Sequence, residues 1–227
     1  MLELVLAAVI WILTHLGISS TALRQRVVGV LGESAYLGLY SLIAAVALTF
    51  LILSWAHAPR DIWLWTPATW HVWWSLILML LACVLLVVGI FSPNPTSVGQ
   101  DSYLSKPEAA RGILRVTRHP VQWAFLLWVI AHVPANGDLA TLVLLLSIAV
   151  VAGVGPVLID RRKARSHPEG WAHFGGVTSN VPFAAIVQGR NRLVLRELGA
   201  FRLLLALAVY LLIIASHRWI AGVPIPL

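Results

Sequence analysis

Two histidines, His15 and His132, interrupt long apolar runs of this chain of 227 residues. A titratable side chain inside a lipid-spanning helix is costly and faces the bundle interior. His15 shares its helical face with Ala8, Trp11, Ile12 and Ser19, and His132 shares its own with Ala124, Phe125 and Trp128. Among such neighbours both imidazoles are expected to be neutral, the form that ligates a metal. Two neutral imidazoles from different helices are a common way to hold a b-type haem axially. The competing reading is a pair of histidines that hydrogen-bond neighbouring helices. Zinc is disfavoured, because no acid or cysteine lies at a comparable depth.

A second group begins at Arg115 and runs through Arg118 and His119 to Pro120. Proline suits the first turn of a helix, where its missing N–H needs no partner. A helix start favours anions, and arginines add charge-assisted donors. A haem propionate, a lipid phosphate or a substrate carboxylate would each fit there. The plainer reading is a basic membrane anchor with a helix cap. Asp160 heads the run Asp160-Arg161-Arg162-Lys163, where an acid serves no anchoring purpose. It is expected to pair with Arg118 or to orient His119.

The elements that must position these residues follow from composition. The chain is 59% hydrophobic and 11% charged, with a mean hydropathy of +0.87. Soluble domains carry about a quarter charged residues, so an integral membrane protein is expected. A bilayer core of ~30 Å needs about 20 apolar helical residues. The runs at 2–19, 35–56, 71–91, 120–137, 139–159 and 201–221 meet or approach that length. Pro134, Asn136 and Gly137 read as a tight turn between the fourth and fifth spans. The expected fold is an all-α polytopic membrane bundle of about six helices, residues 1–227 forming one domain. The opening residues lack a basic leader, so the first span is expected to stay as an anchor.

With loops assigned alternately to two sides, all but Arg60 and Arg218 of the 16 Lys and Arg residues fall on one side. That side is expected in the cytoplasm, with both termini on the outer, periplasmic side of a bacterial inner membrane. The net charge of +7 is therefore topological, and a nucleic-acid partner is not expected. Trp55, Trp63, Trp65, Trp70, Trp73, Trp74 and Trp219 read as an interfacial belt. The stretch Val177–Val187 is expected to be re-entrant or surface-lying. Gly153, Gly155 and Pro156 leave room for a flat ligand or, as the favoured use, for close helix packing. The single cysteine, Cys83, excludes an internal disulfide.

Depth complicates the histidine pair. His15 lies about 13 Å and His132 about 21 Å from their basic anchors by helical rise. Helix tilt must absorb the ~8 Å difference, or His132 pairs with an outer histidine such as His57 or His71. His217 lies near the same interface.

The chain resembles the NnrU family of bacterial membrane proteins, relatives of the zeta-carotene cis-trans isomerases. The resemblance rests on Thr14-His15-Leu16-Gly17 with Leu23-Arg24, and on the run Gly112 to Pro120. It continues in Trp128 to His132, Asp160-Arg161-Arg162, and Thr178 to Phe183. The isomerase branch implies haem b held by residues that correspond to His15 and His132. That branch carries a cysteine after the tryptophan of the fourth span, where this chain has Val129. The resemblance thus implies a haem b membrane protein with redox, nitric-oxide and denitrification-linked, or polyene-isomerising chemistry. Arg115 and Arg118 would neutralise propionates, with His119 and Asp160 in the same cofactor-binding group. Whether the chain is an enzyme stays open, as does its oligomeric state; a hydrophobic small molecule is the expected substrate class. A more distant similarity to S-adenosylmethionine-dependent membrane methyltransferases rests on the Arg-His-Pro turn, but their later acidic pair is missing here. A non-enzymatic assembly factor for a respiratory membrane complex is the remaining alternative.

Overall fold

The computed structural model describes residues 1–18, 22–106 and 108–225. Helices dominate, since lipid leaves no other partner for backbone N–H and C=O groups. The helices are α1 (Leu2–Ile12), α2 (Ala22–Leu31), α3 (Glu33–His57), α4 (His71–Ile90), α5 (Pro120–His132), α6 (Leu139–Ser166), α7 (Pro168–Val177), α8 (Ala184–Val187) and α9 (Ala200–Ala221). A π-helical turn, Leu13–Ile18, extends α1. Among the described residues, the β-pairing is one isolated bridge between Trp63 and Asp138.

The four helices α3, α4, α6 and α9 are long and apolar enough to cross a membrane. Leu2–Ile18 and Leu23–Leu31 meet at 70° and can together count as a fifth crossing. About six spans are expected, and four or five helices meet the length and composition of a crossing. The main reason for the difference is α5, which has only 13 residues, about 20 Å of rise. Pro120 starts it, and the turn after His132 ends it, with Ala135 N–H donating to the His132 carbonyl at 3.1 Å. The tight turn expected around Pro134–Gly137 is therefore present.

Helix α6 runs beyond its expected end at Ile159, carrying Asp160 and the basic run with it. Nothing in that stretch breaks a helix until His167, which precedes Pro168. Asp138 caps its start by accepting from Thr141 N at 2.9 Å. Arg60 reaches the same pair, 3.3 Å from Asp138 and 2.8 Å from Thr141 Oγ1.

Helix α4 packs on α5 and α9, α5 on α6, and α1 on α3 and α6. Leu4, Ala7, Ala8, Leu51, Ala140 and Leu144 form the α1–α3–α6 core. At Gly89 the α4 backbone meets the Pro120 ring so closely that a Cβ would stand 2.8 Å from Pro120 Cγ. Close packing at Gly153 and Gly155 is not found, because a Cβ at either would meet nothing within 4 Å.

The polar loop after α4 folds into a second core, with Val88, Leu104, Ile113, Leu114, Val116, Phe174 and Leu198 buried together. Residues 177–187 lie only partly at the surface: α8 is a single turn entered through Phe183 at φ 63°, and Val181, Phe183 and Val187 are exposed, while Thr178 and Ala185 are buried. Trp63, Trp65, Trp70, Trp73, Trp74 and Trp219 are also exposed, as an interfacial belt requires.

Candidate functional site

The sharpest constellation lies where α5 begins. His119 is the residue before α5, and its ring is wholly buried. Its Nε2 stands 2.7 Å from Asp160 Oδ1. A carboxylate only accepts, so Nε2–H donates and the neutral ring carries its lone pair on Nδ1. That Nδ1 has no hydrogen-bond partner among the described residues. Arg118 holds the other Asp160 oxygen through Nε at 2.9 Å and Nη2 at 2.6 Å. Arg118 also donates to the Thr178 carbonyl and lies over the Trp171 ring. Burial pushes the His119 imidazole below its ordinary range, and the bond to Asp160 opposes that shift.

Both sequence alternatives for Asp160 are therefore realised together. One carboxylate orients the histidine and neutralises the arginine. The surrounding backbone is clasped by two sequence motifs. Arg118 N–H donates to Ser179 O at 2.9 Å, Thr117 Oγ1 to Asn180 O at 2.6 Å, and Trp123 Nε1 to Asn180 O at 2.8 Å. Asn94 Nδ2 and Thr96 Oγ1 donate to the Arg118 carbonyl from the Pro-rich loop.

Arg115 stands apart from this group. It makes a bidentate pair with Glu197, at 2.7 and 3.0 Å, and donates to Asn191 Oδ1 at 2.7 Å. The Arg115 hydrogen bonds, with the Gly112 N–H, pull the Glu197 carboxyl down to about 2. Both arginines expected to face a propionate thus already hold a carboxylate of the chain itself. Sequence reasoning missed Glu197, Asn94 and Thr178. The available signal for Glu197 was its isolation as an acid among Arg190, Arg192, Arg196 and Arg202.

His15 and His132 share a local design. Each stacks near the tryptophan four residues before it, with ring centroids 3.7 Å apart for Trp11–His15 and 4.8 Å for Trp128–His132. Each directs Nδ1 at that tryptophan's carbonyl, at 2.9 and 2.7 Å. A carbonyl only accepts, so each Nδ1 carries the hydrogen and each Nε2 the lone pair. That is the tautomer metal-ligating histidines adopt when a backbone carbonyl orients them.

Their placements differ. His15 lies in the π-helical turn, 6.1 Å from the Tyr40 ring near the start of α3. His132 closes α5 beside the turn that pairs with the Trp63 loop. Helices α1 and α5 both pack on α6. Among the described residues, no three His, Cys, Asp or Glu side chains group as a metal site. Ser19, expected on the His15 face, lies outside the described residues.

The chain is 26% identical over 207 residues to the chloroplastic 15-cis-zeta-carotene isomerase of Zea mays, covering 84% of this chain and 52% of that protein. It thus spans about half the length of this relative. No solved structure matches it. The NnrU protein family matches residues 3–225, and the chain belongs to that family.

Proposed function

We propose that the chain is an NnrU-type, multi-pass membrane protein with isomerase-like action on a hydrophobic polyene, using haem b held by His15 and His132. The observation that carries the reading is the repeated Trp-x-x-x-His arrangement. On two helices packed against α6, an imidazole is fixed by the carbonyl four residues back with its lone pair on Nε2. The likeness to a 15-cis-zeta-carotene isomerase gives the substrate class. Isomerisation of a polyene changes no net oxidation state, and the lipid-exposed helices offer such a molecule a direct approach. The donor chemistry of both residues fits haem, whose iron would supply Lewis-acid or redox chemistry when bound.

Arg118, His119 and Asp160 act as a positioning hub in this reading. They fix the start of α5 against α6, and so the register of the helix that carries His132. Val129 stands where the isomerase branch has a cysteine, so no thiol chemistry at that position is part of this proposal.

The test is the optical spectrum of full-length protein made with ample haem. A low-spin Soret band, lost in both His15→Ala and His132→Ala, supports the ligand pair. A band lost only in His15→Ala assigns the iron to that residue alone. No Soret band removes the cofactor from the proposal. Incubation with 15-cis-zeta-carotene and chromatography of the isomers tests the reaction separately.

A further inference from the structure

A cleft of about 570 Å³ opens at the basic end of the bundle, between the Pro-rich loop, α7 and the segment entering α9. Arg111, Arg115, Arg190 and His173 line it, together with two acids, Glu108 and Glu197. Arg115 and Glu197 neutralise each other at 2.7 Å. Arg190 donates to Gln188 Oε1 and to the Gly176 and Thr178 carbonyls, all of them uncharged acceptors. Its positive charge therefore forms no ion pair with a carboxylate among the described residues. Arg111 and His173 have no hydrogen bond or ion pair among the described residues.

Three guanidinium charges, those of Arg111, Arg115 and Arg190, thus face two carboxylates in one open cavity, with Glu197 bonded to Arg115 and also within electrostatic reach of Arg111. Donors converging on a cavity with surplus positive charge suit a phosphate. The flanks of the cleft argue for its source. Val187, Leu195 and Phe201 are 84%, 66% and 75% exposed. They belong to the surface element and to the start of α9, where the chain passes into an apolar span. Arg192 and Arg196 lie in the same segment. Basic residues beside exposed apolar ones at the mouth of a span are the pattern of an anionic headgroup site.

We infer that this cleft binds the phosphate of an anionic phospholipid, with Arg111 and Arg190 supplying the charge and His173 a further donor. The acyl chains would lie against the apolar flank. The site adjoins the His119–Asp160 hub, because Arg118 and Arg190 both donate to the Thr178 carbonyl, but it does not depend on the haem reading.

The experiment titrates the full chain in detergent micelles with dioleoylphosphatidylglycerol and counts bound lipid by native mass spectrometry. Arg111→Gln should weaken binding about fivefold, the worth of one surface guanidinium at an anionic headgroup. Arg111→Gln with Arg190→Gln should weaken it about 25-fold if the two charges act independently. Glu108→Gln should strengthen binding, a sign that loss of fold cannot imitate. Thermal unfolding of each variant confirms that it is folded. Binding unchanged in both Arg111→Gln and Glu108→Gln would overturn the site, as would equal retention of dioleoylphosphatidylcholine. Displacement of the lipid by inorganic phosphate at equal concentration would overturn the lipid source and identify a soluble phosphate ligand.

Discussion

Replacing Asp160 by asparagine tests the hub most directly. The aspartate side chain is 17% exposed and that of Arg118 15%, while His119 has no exposure. Asparagine keeps the shape and one carbonyl oxygen but loses the charge. That oxygen can still accept from Arg118, and its NH2 then faces His119 Nε2. The imidazole can follow by moving its hydrogen to Nδ1, so the hydrogen-bond count survives. The loss is mainly the counter-charge for a guanidinium that is largely out of water. Breaking a buried pair from one side costs about 3–5 kcal/mol. The low end applies, because Arg118 keeps its bond to the Thr178 carbonyl. A cost of about 3 kcal/mol lowers Tm by roughly 6–12 °C in a chain of this size.

The assay is thermal unfolding of purified protein in detergent at pH 7.5, followed by far-UV circular dichroism. Arg118→Gln should cost a similar amount. The double variant should cost about as much as either single one, because it leaves no uncompensated charge. Strictly additive losses would show that Arg118 and Asp160 act independently. A drop below about 2 °C for Asp160→Asn would refute the claim that this carboxylate holds the start of α5 against α6.

Other perturbations have definite expected signs. Gly89→Ala places a methyl 2.8 Å from the rigid Pro120 ring and should cost about 1–3 kcal/mol by overpacking, whereas Gly153→Ala meets nothing within 4 Å and should be neutral or stabilising in the same melting assay; equal effects at the two positions would contradict the packing described. Glu197 titrates at about 2 against an ordinary 4.5, chiefly through its Arg115 bonds, so its stabilisation is complete above pH 4.5 and is lost as pH falls from there through 2. Glu197→Gln should flatten acid unfolding in that window, and an unchanged acid limb would count against the pair. His119 is held below its ordinary 6.5 by burial, so its contribution is present above pH 6.5 and declines as pH falls below it; His119→Gln should reduce the slope of stability against pH there, and an identical slope would mean that His119 takes up its proton without cost.

The membrane bundle was legible because runs without charge have few alternative fates. Helices α3, α4, α6 and α9 match expected spans to within a few residues, α6 excepted at its C-terminal end. The shortness of α5 was less visible, since its apolar run continues through Val133 and only the turn chemistry beyond marks the stop. The twin tryptophan–histidine pairs follow directly from an i, i+4 spacing. The partner of Arg115 did not, because Glu197 lies 82 residues away and no local pattern encodes such a contact. The second core was hidden for a different reason. Leu104, Ile113, Leu114 and Phe174 are scattered among prolines and charges, and no helical period links them before the loop closes on α7.

The acids prove more informative than the bases in this chain. The expected topology already accounts for most arginines and lysines, so a basic residue says little about contacts. The nine acids have no such general role, and most hold an element junction. Glu33 pairs with Arg24 at the start of α3, and Asp101 with the buried Lys163. Asp138 joins Arg60 to the start of α6, Asp160 secures α5 and Glu197 ties the entrance of α9 to Arg115. All but Asp160, which lies within the last two turns of α6, sit at a helix end or in a loop or short 3-10 turn, where a charge can be paired without crossing the apolar core. Glu3, Asp61, Glu108 and Glu169 pair with no base among the described residues, and of these four Glu108 is the one that lines the cleft, beside Arg111.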